Sequence, residues 1–164
     1  MKLEQAVIDE IKNLCRYTRF SGTANYIQHG TTSVYRHSIA VACVSLRIAE
    51  KLHLRVDKRT LIRGALLHDY FLYDWHSNPS VSWHGYRHPR IALENAEKDV
   101  FLNKKEKNMI LRHMFPLTPV PPVHKEGWII CLADKLCSVR ETVLRKKRHR
   151  GYKKIAKKKA VETG

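Results

Sequence analysis

Hydrophobic positions recur at helical spacing along most of the chain. Leu3, Val7, Ile11 and Leu14 fall on one face of a helix predicted over residues 2–16. Residues 17–32, which include Gly22 and Gly30, lose that period. They read as a short helical or irregular connection ending in His29-Gly30-Thr31-Thr32. A second helix is predicted from Thr32 or Ser33 to about Leu54, with Ile39, Cys43, Leu46, Ala49 and Leu52 as its apolar stripe. Asp57 is placed to cap a third helix, and Val56 with Leu61 to staple its entry. That helix carries Leu61, Ala65 and Leu66 up to His68-Asp69. Residues 70–87 then gather Tyr70, Phe71, Tyr73, Trp75, Trp83 and Tyr86 around Pro79 without a period. Such a stretch serves either as the wall or lid of a pocket or as a small aromatic core.

His88-Pro89 predicts the start of a fourth helix, because proline is favoured at the first helical position. Asn103 followed by Glu106 has the form of a capping box for a fifth helix, which ends near Met114. Pro116, Pro119, Pro121 and Pro122 forbid its continuation. A last long helix begins near Glu126 and contains Trp128, Ile129, Leu132, Leu136 and Val143, and Gly151 is expected to interrupt it. No stretch reads as a strand and none repeats. The expected fold is all-α, one helical domain over residues 1–144 followed by a basic, mobile tail over 145–164.

Charge sharpens that division. The chain carries a net +16, and residues 140–164 hold eleven Lys/Arg against Glu141 and Glu162, which leaves +7 for the rest. A basic body suits anionic substrates. The run Arg145-Lys146-Lys147-Arg148-His149-Arg150 and its continuation read as a solvated tail that would contact nucleic-acid phosphates without reading sequence. Tyr152 alone is too little for base stacking. Cys15, Cys43, Cys131 and Cys137 form no Cys-x-x-Cys pair and read as buried thiols in a reducing compartment. Asp9 and Glu10 stand where a signal peptide would be apolar, and no apolar run reaches membrane-spanning length. A cytoplasmic protein with no membrane association is expected.

The chemistry centres on His68-Asp69 at the end of an apolar helix. Imidazole and carboxylate suit borderline-to-hard divalent metals, although one such pair reads equally well as a histidine oriented by its neighbour. Asp134, between Leu132-Ala133 and Leu136, is a carboxylate in an apolar segment. It needs either a metal or a salt bridge, to Lys135 or an arginine. His37 lies near the start of the second helix, before Ile39.

The segments His37-Ser38-Ile39-Ala40-Val41-Ala42, Leu66-Leu67-His68-Asp69 and Leu132-Ala133-Asp134-Lys135-Leu136, in that order, resemble the HD-domain superfamily of metal-dependent phosphohydrolases. The resemblance runs from about residue 30 to residue 141. It implies an HD-type helical bundle that cleaves a phosphate mono- or diester, nucleotide-like in the first instance, with a metal-activated water. His37, His68, Asp69 and Asp134 would hold one metal. His88 and His113 match the pair that, in two-metal members, holds a second ion bridged by Asp69. Two divalent ions are implied, iron or manganese first, with zinc, cobalt and nickel also suited. At a helix N-terminus, the place expected for His88, the dipole keeps an imidazole neutral and able to bind metal. Asp69 and Lys135 are the candidate catalytic residues, and Arg36, Arg87, Arg112 and Lys135 the candidate binders of a small phosphorylated substrate.

The chain departs from the family in two places. Phe71-Leu72-Tyr73 stands where many members carry a lysine or small residue, and Gly85-Tyr86-Arg87 only echoes the Gly-Tyr-Pro of the cyclic-dinucleotide branch. Asp74 reads as a solvated loop residue, His29 as an exposed loop histidine near the rim, and His84 as a weaker competitor of His88. His53, His76, His124 and His149 read as surface. Two alternatives stay open. One is an HD fold without turnover whose tail docks on RNA or another acidic partner. The other is a one-metal enzyme in which His88 and His113 act on substrate or protons.

Overall fold

A computed structural model describes residues 2–75 and 83–162, with side chains for 4–75 and 83–143. The elements run α1 (Lys2–Tyr17), a 3-10 helix (Phe20–Asn25), β1 (Ile27–His29), β2 (Thr32–Ser33), α2 (Val34–Lys51), α3 (Lys58–Leu67), α4 (His84–Asp99), α5 (Lys104–Arg112) and α6 (Lys125–Glu162). The fold is all-α apart from the hairpin. Among the described residues, no helix is long and apolar enough to cross a membrane.

The helix starts follow from local chemistry. Ser33 caps α2 by accepting from the Arg36 amide, and Asp57 caps α3 by accepting from the Thr60 amide. Asn103 and Glu106 close a reciprocal capping box at α5. Each such cap stabilises its helix by about 1 kcal/mol. Helices α2 and α3 pack on each other at the centre, α6 lies along α2, and α5 bridges α3, α4 and α6. Leu61, Ile62, Ala65, Leu66 and Leu67 of α3 are all buried, so the helix carrying the His-Asp doublet is the least exposed in the molecule's centre. Gly64 allows α5 this close: a Cβ there would overlap the terminal methyl of Met109, while meeting Ile130 of α6 at an ordinary 3.4 Å.

The chain just beyond the doublet is fixed as well. Tyr70 Oη donates to Asp99 (2.5 Å), Arg19 Nη2 donates to the same carboxylate (2.9 Å), and Asn95 Nδ2 donates to the Tyr70 carbonyl (3.1 Å). Burial alone would raise the Asp99 pKa; the bonds from Arg19 and Tyr70 outweigh it and hold the carboxyl below its ordinary range.

Several expectations are corrected. Residues 27–33 form a two-stranded antiparallel hairpin where an irregular connection was expected. Strands of three and two residues are too short to show an alternating pattern, and Gly30, at φ 64°, makes the turn. Helix α4 starts at His84, so Pro89 lies in its second turn and forfeits the bond to the Gly85 carbonyl. The α6 backbone stays helical through Gly151, since one glycine costs a helix only about 1 kcal/mol. Helix α2 ends at Lys51, with His53 at φ 50° turning the chain. Cys131 and Cys137 are buried thiols, whereas Cys15 and Cys43 are half-buried. On α6 the core face is Ile129, Ile130, Ala133 and Cys137, while Trp128, Leu132, Leu136 and Val143 face outward. His53 is exposed as expected and His124 half-buried. His76 and Pro79, with the side chain of His149, lie outside the described residues.

Candidate metal centre

Asp69 is the hub. It follows α3 directly, is 1% exposed, and turns its two oxygens toward different histidines. Oδ1 lies 3.1 Å from His88 Nε2 and 3.3 Å from His113 Nε2. Oδ2 lies 3.2 Å from His68 Nε2 and 3.7 Å from His37 Nε2. Asp134 of α6 adds a second carboxylate, 3.0 Å from His37 Nε2 and 3.9 Å from His68 Nε2. Two groups of three ligand atoms therefore share one residue: His37, His68 and Asp69, and Asp69, His88 and His113. Asp134 stands on the first group's side. Among the described residues its partners are imidazoles and the Ser138 hydroxyl, not the lysine or arginine of the salt-bridge alternative.

The ring tautomers are set by backbone. His68 Nδ1 donates to the Ala65 carbonyl (2.7 Å), His88 Nδ1 to the His84 carbonyl (2.9 Å), and His113 Nδ1 to the Ile110 carbonyl (2.8 Å). A carbonyl can only accept, so each neutral ring keeps its lone pair on Nε2, the atom aimed at Asp69. His88 Nε2 and His113 Nε2 thus face each other at 2.8 Å, lone pair toward lone pair. His68 Nε2 and Asp69 Oδ1 are buried with no hydrogen-bond donor among the described residues. Lone pairs and carboxylate oxygens converging in a buried space repel unless a cation joins them. The donor set fits a divalent metal.

His37 is oriented differently. Its Nδ1 meets the carboxylate of Glu141, about two turns beyond Asp134 on α6, at 3.1 Å. Burial pulls the His37 pKa down, but Asp134 and Glu141 together push it up to about 9. His68 is likewise raised against its burial by the two aspartates, and Asp69 and Asp134 are held far below the carboxylate range by the histidines around them. Burial lowers His113, keeping it neutral. Without metal, then, protons supply part of the positive charge this cluster requires.

Sequence reasoning missed four neighbours. Gln28, on β1, is buried and its Nε2 donates to Asp69 Oδ2. His29, expected as an exposed loop residue, is a half-buried strand residue packed edge-on against His37. It lies 3.0 Å from the Ser138 hydroxyl, which can donate onward to Asp134 Oδ1 (3.2 Å). His84, read only as a weaker competitor of His88, is the first residue of α4, and its ring stacks on His88 one turn later. Glu141 alone had a readable signal: Asp134, Ser138 and Glu141 are polar residues on one face of an apolar helix. The expected position of His88 at a helix N-terminus is corrected too. It sits in the second turn of α4, beyond the main reach of the dipole, and the His84 carbonyl fixes its tautomer instead.

Lys135 lines the cavity above this cluster, with its Nζ 3.3 Å from the Cys131 carbonyl. Arg36 and Arg87 are exposed and Arg112 half-buried, and none of the three is among the described residues lining that cavity. Asp74 is exposed.

No curated protein and no solved structure matches the chain. The HD domain family profile matches residues 34–138, which takes in all six ligand candidates from His37 to Asp134. HD domains are as a family metal-dependent hydrolases that bind divalent ions, and the cradle around Asp69 has the donors that this chemistry requires. By that match over most of its length, and with its three motifs meeting in one buried site, this chain belongs to the HD domain family.

Proposed function

We propose that the protein is a phosphohydrolase holding two divalent ions across Asp69 and cleaving a phosphate ester with an activated water. The observation that carries this reading is the split of the Asp69 carboxylate, one oxygen toward His37 and His68 and the other toward His88 and His113. Asp69 would thus be a ligand available to either ion. The chemistry such ions would supply is Lewis acidity, which would make a water nucleophilic near neutral pH and offset phosphate charge. In the net reaction the water oxygen bonds to phosphorus, the ester P–O bond breaks, and the alcohol leaves with a proton.

The chain's own residues then have distinct tasks. His37, His68, Asp69 and Asp134 would hold one ion, and Asp69, His88 and His113 the other. Lys135, next to Asp134 and on the cavity wall, would offset phosphate charge. The mixed nitrogen and oxygen donors suit iron or manganese, with zinc, cobalt and nickel as competitors. Four unpaired cysteines fit a cytoplasmic setting. A second, separable reading concerns the basic run after Val143, which would add salt-dependent contact with nucleic acid without altering the site.

Elemental analysis tests the proposal, on protein purified without chelator and freed of any affinity tag. About two ions per chain are expected, the number a two-metal site requires, falling in both His68→Ala and His113→Ala. One ion lost only in His68→Ala would place His113 outside the coordination sphere. No ion even after incubation with manganese or iron would overturn the enzyme reading and turn attention to the basic run.

A further inference from the structure

The cradle opens into a cavity of about 840 Å³, far more than one phosphoryl group needs and within the range of pockets that hold a whole organic molecule. Asp69, His88 and Asp134 lie on its surface, so whatever fills it would touch the metal site. One wall is aromatic and rigid. The Trp75 ring lies flat on His84 at 4.6 Å and 6°, and His84 lies on His88 at 4.8 Å and 21°. Trp75 Nε1 donates to the Ile27 carbonyl (3.2 Å) and Tyr73 Oη is bonded to His84 Nδ1 (2.9 Å), which fixes both planes. This wall is therefore continuous with a metal ligand.

A second wall is aliphatic, made by Met114, Pro116 and Leu117 beyond α5 and Val139 from α6, while Gln28, His29 and Ser138 add uncharged polar groups close to the cradle. Gly85 lets Leu117 come close, for a Cβ there would meet its Cδ2 at 3.1 Å. Cations are scarce by comparison. Among the described lining residues Lys135 is the one lysine or arginine, in a chain whose net charge is +16. Phosphates beyond the one on the metals would face Trp75, Leu117 and Val139 with no partner, which is costly. An apolar body would instead bury its surface there, at roughly 25 cal/mol per Å².

Taking the hydrolase reading as its basis, we infer that the substrate is a monoester of a single phosphoryl group with an apolar, ring-containing alcohol. Sugar phosphates and polyphosphates are the classes this cavity selects against.

The test uses the full chain loaded with manganese and three alkyl esters of similar leaving-group basicity: 2-(2-naphthyl)ethyl phosphate, ethyl phosphate and glycerol 3-phosphate. The naphthylethyl ester should show a kcat/KM higher than glycerol 3-phosphate by at least about 10-fold, the scale on which a fitting apolar pocket discriminates. Leu117→Asp should shrink that ratio, and naphthylethyl diphosphate should compete poorly. Hydrolysis of all three with similar kcat/KM, or a ratio that Leu117→Asp leaves unchanged, overturns the inference and leaves the hydrolase reading intact. Hydrolysis of none of them overturns the hydrolase reading, and the inference falls with it.

Discussion

The two halves of the cradle are built on different principles. Around His37 and His68 the positive charge of an ion would meet Asp69, Asp134 and, one atom shell further out, Glu141. These groups come from α2, the end of α3 and α6, elements packed at the centre of the fold. Around His88 and His113 Asp69 is the only carboxylate among the described ligand groups, and both rings are oriented by carbonyls of their own helices. The first half is rich in charge and tied together over long sequence distances. The second is nearly neutral and locally organised. Ions held by the two halves should therefore differ in affinity, with the first half loading first.

The widest effect falls on the residue the halves share. Asp69→Ala should lose both ions and reduce ester hydrolysis by on the order of 10³-fold or more, checked by elemental analysis beside phosphate release. Retention of two ions would mean that the halves are independent. Removing one half's own ligand should separate them: His113→Ala is expected to keep the tighter ion and His37→Ala to weaken it. A pair of titrations with a chromophoric chelator decides this, and equal losses in both variants would erase the asymmetry.

Glu141→Gln comes next. It keeps the shape of the His37 partner but not its charge, and should weaken the first ion by about 10–100-fold while sparing the second. The smallest effect is on the metal-free protein. His37 has a folded-state pKa near 9 against an ordinary 6.5, so the folded form binds its proton more tightly. That stabilisation is fully present below about pH 6.5 and is lost as pH rises through 9. Thermal unfolding of the metal-free chain should accordingly show Tm falling over that window, with a shallower fall in Glu141→Gln. Loaded protein should not show it, because the ion then occupies the proton's place. A flat profile without metal would show that the carboxylates around His37 do not hold a proton there.

The same contrast explains what could be read from the sequence. The helices were legible where an apolar period and a cap coincide, as at Ser33, Asp57 and Asn103. Four of the six ligand candidates were legible because they stand in three polar-in-apolar motifs whose order resembles the HD family, and His88 and His113 followed from that resemblance. Residues that complete the site through distant contacts were not. Gln28 lies 41 residues from Asp69, a separation over which no local pattern speaks, and Glu141, 104 from His37, is marked only by the polar face it shares with Asp134 on α6. The start of α4 was misjudged because Pro89 satisfies a rule about first turns that the packing of His84 on His88 and Trp75 overrides. Arginines chosen for being next to motif residues fell outside the cavity, since helical neighbours point in different directions.

His37 and Asp134 lie 97 residues apart in the chain and 3.0 Å apart in space. Ordering so long a loop costs entropy that is recovered only when α6 seats against α2. The pair consequently comes into being near the end of folding, whereas a helix such as α5, closed by its own capping box, can begin early. A metal that needs both residues cannot be captured by a half-formed chain. Ion uptake followed during refolding would accordingly trail the docking of α6 on α2.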